Sequence, residues 1–212
     1  MMKRVAGLAL VLGFVSVAAV ASAQSAGGGF EVGLNLANIS IDTGTSVSLS
    51  PSTKPGLLVG GFATIPFNET VSLQPEFLFV QRRFDVQNGT SASGLYQYRW
   101  AAVEIPILAR FDFASTADRG FYAVVGPAFS FLASASEIQA STSKETLNYK
   151  DQIAAADISV IVGAGIMFGK MGIEARYNAG LREVQSSTAR GFDPKVSNRN
   201  RAFAVLLRYR AK

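Results

Sequence analysis

This sequence predicts an all-β fold, an eight-stranded antiparallel up-and-down transmembrane β-barrel preceded by a cleaved signal peptide, and three observations carry that reading. Apolar and polar residues alternate with a period of two in eight successive segments. The polar connections between the segments are long and short in turn, as short periplasmic turns and long extracellular loops would be. The chain opens with an export leader.

The leader reads Met1-Met2-Lys3-Arg4, then an apolar run over 5–20, then Ala21-Ser22-Ala23 before Gln24. Charged, apolar and small-residue regions in that order mark a secretory signal, with cleavage expected after Ala23. The run is at the short end of the roughly 17 to 25 residues that a spanning helix needs. The division expected is therefore 1–23 as signal peptide and 24–212 as the barrel domain. The 212-residue chain has no cysteine, which excludes lipoprotein acylation and disulfides. The formal charge is +5 and falls to +3 once Lys3 and Arg4 leave with the leader. That excess is too small for a nucleic-acid footprint, so no nucleic-acid partner is expected.

Beyond Gln24 no stretch is apolar for long enough to cross a bilayer as a helix, yet the mean hydropathy is +0.24. The apolar residues are spread over strands. Segment 30–37 sets Phe30, Val32, Leu34 and Leu36 against Glu31, Gly33, Asn35 and Ala37. A second segment covers 56–66, and a third, 71–84, sets Val71, Leu73, Phe77 and Phe79 against Ser72, Gln74 and Glu76. The fourth, 98–113, carries Val103, Ile105, Ile107, Ala109, Phe111 and Phe113 on one face and Glu104, Arg110 and Asp112 on the other.

The fifth, 121–133, carries Phe121, Ala123, Val125, Phe129 and Phe131 outward. In the sixth, 156–168, Ile158 to Phe168 alternate against Asp157 and Ser159. The seventh, centred on Ile173 to Leu181, alternates with Glu174, Arg176, Asn178 and Gly180. The eighth, 201–210, sets Phe203, Val205, Leu207 and Tyr209 against Ala202, Ala204, Leu206, Arg208 and Arg210.

Pro66, Pro75, Pro106 and Pro127 inside or at the ends of these segments argue against helices. Proline is also rare within strands, so local bulges are expected near Pro75, Pro106 and Pro127. Long connections are expected over 38–55, 85–97, 134–155 and 182–200, and short ones over 68–70, 114–120 and 169–170. Gly163 and Gly165 read as close-packed strand positions, and Gly27-Gly28-Gly29 as a flexible lead into the first strand.

Charges of both signs sit on one face of the segments: Glu31, Glu76, Glu104, Arg110, Asp112, Asp157, Glu174, Arg176 and Arg208. In a small barrel such a face fills the lumen as a structural ion-pair and hydrogen-bond network. The opposite face is rich in Phe, Val, Ile and Leu, as hydrocarbon requires. Phe84, Tyr98, Trp100, Phe113, Phe121, Phe168, Tyr177 and Tyr209 fall near segment ends, where aromatic girdles sit.

The motifs Phe30-Glu31-Val32-Gly33-Leu34-Asn35-Leu36-Ala37-Asn38, Val71-Ser72-Leu73-Gln74-Pro75-Glu76-Phe77-Leu78-Phe79 and Val103-Glu104-Ile105-Pro106-Ile107-Leu108 resemble the PorT-like outer-membrane β-barrel domain of Bacteroidetes and relatives. So do Gly126-Pro127 and Gly172-Ile173-Glu174-Ala175-Arg176-Tyr177-Asn178. The general architecture is similar to the OmpA and OmpX barrels. The resemblance covers nearly the whole chain after the leader and implies fold and location, the bacterial outer membrane, more than activity. The family's namesake is associated with a secretion and gliding apparatus, a role that maps onto no residue here. Outer-membrane barrels usually end in an aromatic, whereas Tyr209 is followed here by Arg210-Ala211-Lys212.

The chain has neither histidine nor cysteine, which removes Ser-His-Asp and Cys-His nucleophiles and nearly all zinc sites. No catalytic, metal or cofactor-binding residue is expected. Glu104 with Glu174 is the one carboxylate pair to set against a glycosidase, and pairing with Arg110, Arg176 and Arg208 is the competing reading. Eight strands leave an interior just wide enough for side chains, so an open pore is not expected. No peptidoglycan-binding domain is expected after the eighth segment. The expected role is structural or interactive, through four long extracellular loops, with outer-membrane lipid and a protein or surface ligand at the loops as partners. The alternatives are an accessory part of a secretion apparatus and a soluble periplasmic carrier of lipocalin type, which would put the apolar residues inside.

Overall fold

The computed structural model describes residues 26–42, 50–87, 95–115, 119–139, 146–148, 155–183 and 197–211, and the expected signal peptide lies outside them. Among the described residues there are nine strands: β1 (Gly27–Asp42), β2 (Ser50–Pro66), β3 (Val71–Gln87), β4 (Leu95–Ser115), β5 (Arg119–Gln139), β6 (Thr146–Asn148), β7 (Ala156–Phe168), β8 (Met171–Glu183) and β9 (Ser197–Arg210). Each long strand pairs antiparallel with the next, and β9 pairs with β1 from Gly29↔Arg210 to Asp42↔Ser197. The result is a closed eight-stranded barrel, which abolishes sheet edges. The short β6 lies against residues 136–138 of β5.

The faces are assigned unambiguously. Phe30, Leu34, Val162, Ile173 and Leu207 point outward and are exposed, while Glu31, Glu76, Glu174, Arg176 and Arg208 point inward and are buried. Charge inside and hydrocarbon outside is the arrangement of a barrel in lipid. A lipocalin-type carrier needs the reverse, and that alternative is overturned.

The turns at one end are tight. Asn68 Oδ1 accepts hydrogen bonds from the backbone N–H groups of Thr70 (2.9 Å) and Val71 (2.7 Å), shaping the β2–β3 turn. Gly169 opens the two-residue β7–β8 turn at φ 57°, a conformation that a primed hairpin turn demands and glycine adopts without strain. Around this end Phe30, Phe113, Phe121, Phe168 and Tyr209 point outward, forming one aromatic girdle. Phe84 and Tyr98 have side chains outside the described residues. Trp100 corrects the girdle expectation, because it pairs with Arg82 and shares the inward parity of Ala102 and Glu104.

The strands run further than their apolar alternation. β4 and β5 each have 21 residues, against the roughly 9 to 11 that cross a bilayer. The excess is largely polar chain at the other end, 38–42, 50–54, 85–87, 95–97, 134–139 and 197–200, which the sequence reads as loop. Its backbone still pairs, so the barrel wall continues past the apolar belt. Gly27-Gly28-Gly29 is likewise not a flexible lead. It pairs with β2, and a Cβ on Gly29 would lie 1.9 Å from the Tyr209 carbonyl oxygen.

The bulges expected at Pro75, Pro106 and Pro127 are absent. The β2–β3 ladder breaks where 74–75 face 63–64, the β3–β4 ladder where 105–106 face 76–77, and the β4–β5 ladder where 126–127 face 107–108. Register is the same on both sides of each break. Every proline is paired on its other side, as Pro75↔Ile107, Pro106↔Ala128 and Pro127↔Val160. A missing N–H thus interrupts one ladder without inserting a residue, and inward-outward alternation survives. Register does shift between Lys54 and Leu58, Ala101 and Ala102, Phe113 and Ser115, and Ala179 and Glu183.

Candidate functional site

The buried charges of the lumen are the densest polar feature among the described residues, and they form two clusters. In the first, Arg176 clamps Glu76 with two charge-assisted bonds, Nη1 to Oε2 at 2.6 Å and Nη2 to Oε1 at 2.7 Å. Arg176 Nε also donates to Glu174 Oε1. Arg208 Nη1 donates to Glu174 Oε2 at 2.5 Å, and the Arg208 guanidinium stacks on the Phe62 ring at 3.9 Å. The Tyr122 hydroxyl donates to the same Glu174 oxygen at 2.7 Å. Glu31 joins electrostatically: Arg208 Nε lies 3.0 Å from Glu31 Oε2, but neither atom has a hydrogen bond of acceptable geometry. Three carboxylates therefore share two guanidiniums in a space closed to solvent.

Toward the short turns this cluster continues through Gln74, whose Nε2 donates to Glu76 Oε1 at 2.7 Å. Arg110 binds Asp112 through Nε (3.0 Å) and Nη2 (2.6 Å) and lies 3.7 Å over the Tyr122 ring. The second cluster centres on Glu104, which accepts from Arg82 Nη2 (2.7 Å), Ser130 Oγ (3.0 Å) and Asn178 Nδ2 (3.0 Å). Asp157 faces Ser130 in the β5–β7 register, and its Oδ1 accepts from the Ile158 N–H at 2.8 Å.

Of the nine residues expected on this face, Glu31, Glu76, Glu174, Arg176 and Arg208 thus meet in one cluster. Arg110 with Asp112 adjoins it through Gln74, and Glu104 belongs to the other. Glu104 and Glu174 sit in different clusters, Glu104 held by Arg82 and Glu174 by Arg176 and Arg208. Tyr122, Gln74, Arg82, Ser130 and Phe62 were not singled out as network residues, although Tyr122 and Arg82 have the right parity in their strands.

Apolar side chains fill the rest of the interior, in one group of Leu108, Tyr122, Val124, Ala128, Ile161 and Met167 and another of Leu58, Leu78, Val80, Ala204 and Leu206. Between the clusters a cavity bordered by Asn35, Arg82, Glu104 and Asn178 has a volume of about 20 Å³, room for about one water. At this level the lumen is packed. Gly165 shows how closely: a Cβ there would lie 2.4 Å from the Tyr122 hydroxyl and 2.8 Å from the Ile173 carbonyl oxygen. Gly165→Ala is expected to push Tyr122 off Glu174 and cost about 1–3 kcal/mol, read as a lowered urea midpoint of the folded barrel.

Solved structures similar in fold include Ail, the attachment invasion locus protein of Yersinia pestis, in complex with the heparin analogue sucrose octasulfate. That match has 14% identity, covers 87% of this chain and 98% of that one, and gives a TM-score of 0.43. Neisserial surface protein A matches at 12% identity over 88% of this chain and 99% of that one, with a TM-score of 0.48. OprG from Pseudomonas aeruginosa matches at 10% identity over 87% and 93%, with a TM-score of 0.45. No curated protein matches the sequence. The family model described as outer membrane protein beta-barrel domain matches residues 22–186, most of the chain, and the protein belongs to that family of outer-membrane β-barrels.

Proposed function

We propose that this outer-membrane barrel is a non-catalytic structural and interaction protein, carrying a rim of loops on the cell surface. The observation that carries this reading is the contrast between its ends. The interior is packed with apolar groups and paired charges, while the walls at the long-loop end extend beyond the apolar belt and hold up connections rich in Ser, Thr, Asn and Lys. A rigid scaffold with polar loops at one end is suited to binding at those loops. The nine inward charges act structurally, fixing the strands around a plug of their own side chains. Export through cleavage after Ala23 belongs to the same reading.

The PorT-like motifs support a finer placement within the family and favour an accessory place in a secretion apparatus as the second reading. In this chain their residues Glu31, Gln74, Glu76, Glu104, Glu174 and Arg176 build the lumen clusters. The resemblance is therefore supported by packing residues, and partner choice is left to the loops.

Protease shaving of intact cells tests the orientation. Trypsin added outside is expected to cut within 184–196, at Arg190 or Lys195, and to leave a core whose gel mobility still shifts on boiling. Cleavage at those residues only after the outer membrane is opened would overturn the reading. Intact mass of the recovered protein checks that it begins at Gln24.

A further inference from the structure

The outward face changes character abruptly where the apolar belt meets the long-loop end. On β2, β3 and β4 the belt consists of Leu57, Val59, Phe77, Phe79 and Val103. Beyond it, past the outward pair Gln81 and Ala101, Lys54 pairs with Arg83 and Arg83 pairs with Arg99 in the strand registers, so three exposed cations stand side by side across adjacent strands. Like charges directly opposite each other destabilise a sheet. Among the described residues the row has one carboxylate, Asp85, whose Oδ2 lies 3.5 Å from Lys54 Nζ, and Arg83 reaches Gln81 Oε1 at 3.4 Å. Arg201 stands outward at the same end on β9. At the opposite end the exposed outward residues include Phe30, Phe113, Phe121, Phe168, Met171 and Tyr209, and the charges there are Glu69 and Lys170 in the turns and Arg119 at the start of β5, with no register-paired row of cations among the described residues.

From this arrangement we propose that Lys54, Arg83 and Arg99 form a binding row for phosphorylated lipid headgroups in the leaflet surrounding the long-loop end. Depth selects the ligand. The row borders the surface that hydrocarbon covers, so lipid headgroups are the anions held permanently at its level. Neighbouring strands are about 4.8 Å apart, so the row spans about 10 Å and reaches more than one phosphate. Guanidinium forks bind phosphate oxygens bidentately, and the lysine adds a point charge. Bound phosphate removes the repulsion that the row otherwise carries. The assignment to the cell-surface leaflet rests on the loops-outward reading proposed above, whereas the lipid preference does not.

Native mass spectrometry of the refolded mature chain in neutral detergent tests the preference, with bis-phosphorylated lipid A, the same lipid after phosphatase treatment, and phosphatidylcholine as probes. The wild type is expected to retain the bis-phosphorylated lipid preferentially, and K54Q, R83Q and R99Q to weaken retention by roughly fivefold each at low ionic strength. R201Q, outside the row, is expected to leave it unchanged. Equal retention of the three lipids, or a triple variant that retains lipid A as the wild type does, would overturn the proposal. So would displacement of the lipid by inorganic phosphate alone, which would make the row a free-anion site. Each variant is scored only when its gel mobility still shifts on boiling, and R83K, which keeps charge without the fork, retains intermediate preference. Since the readout is made in micelles, its failure leaves the orientation of the loops untouched, and shaving of cells leaves the lipid preference untouched.

Discussion

Arg208→Met is expected to destabilise the barrel by about 3–5 kcal/mol, the cost of stripping a partner from buried charges. Arg208 is fully enclosed and lies against three carboxylates, Glu31, Glu76 and Glu174. With methionine in its place those carboxylates share Arg176 alone, and the stack on Phe62 is lost. Urea titration of the folded form, scored by gel mobility without boiling, measures the loss. Adding Glu174→Gln removes one surplus charge, so the double variant is expected to recover part of it, and the cycle gives the coupling between the two residues. A loss below about 1 kcal/mol for Arg208→Met would show that the cluster does not hold the strands together, since even a single exposed ion pair reaches that range.

Val162→Arg is expected to cost about 2–4 kcal/mol in a bilayer, because the position lies midway along β7 on the lipid-facing surface. The side chain is 54% exposed, so on a soluble barrel the same substitution would be nearly neutral. Val162→Leu serves as the control and is expected to change little. Folding into lipid vesicles, followed by the urea midpoint of each variant, separates the two cases. Tolerance of arginine at 162 would place that face in water.

Period-two alternation made the faces of the strands readable, and β7 begins and ends where its apolar pattern does, at Ala156 and Phe168. The other strands outrun the pattern because hydrogen bonding between backbones needs no apolar side chain: Asp42 pairs with Ser197 and Gln87 with Leu95 beyond the alternating apolar belt. The prolines misled in the opposite direction. Each one lacks a single donor and removes pairing on one side only, a local loss that sequence reasoning had translated into an inserted residue. Parity placed the nine charges inward, but their grouping was hidden, because Glu76 and Arg176 lie 100 residues apart and only the register brings them together. Tyr122 was hidden by its neighbours, since between Phe121 and Ala123 it reads as part of an aromatic stretch when in fact it is the residue that turns in to Glu174.

The continuous β1–β9 seam bears on how the molecule is made. Hairpins such as β7–β8 form from neighbouring residues, but the seam joins the earliest strand to the latest, Glu31 to Arg208 among others. Contacts of such sequence separation form slowly, because the loop entropy must be lost before they stabilise anything. The buried cluster has the same property, for its arginines come from β8 and β9 and its carboxylates mostly from β1 and β3. Until the last strand arrives, Glu31 and Glu174 lack Arg208, and the three carboxylates have Arg176 alone as counter-charge. Closure of the wall and completion of the lumen's charge balance are then one kinetic event, and an intermediate lacking β9 is open at the edge and under-neutralised within.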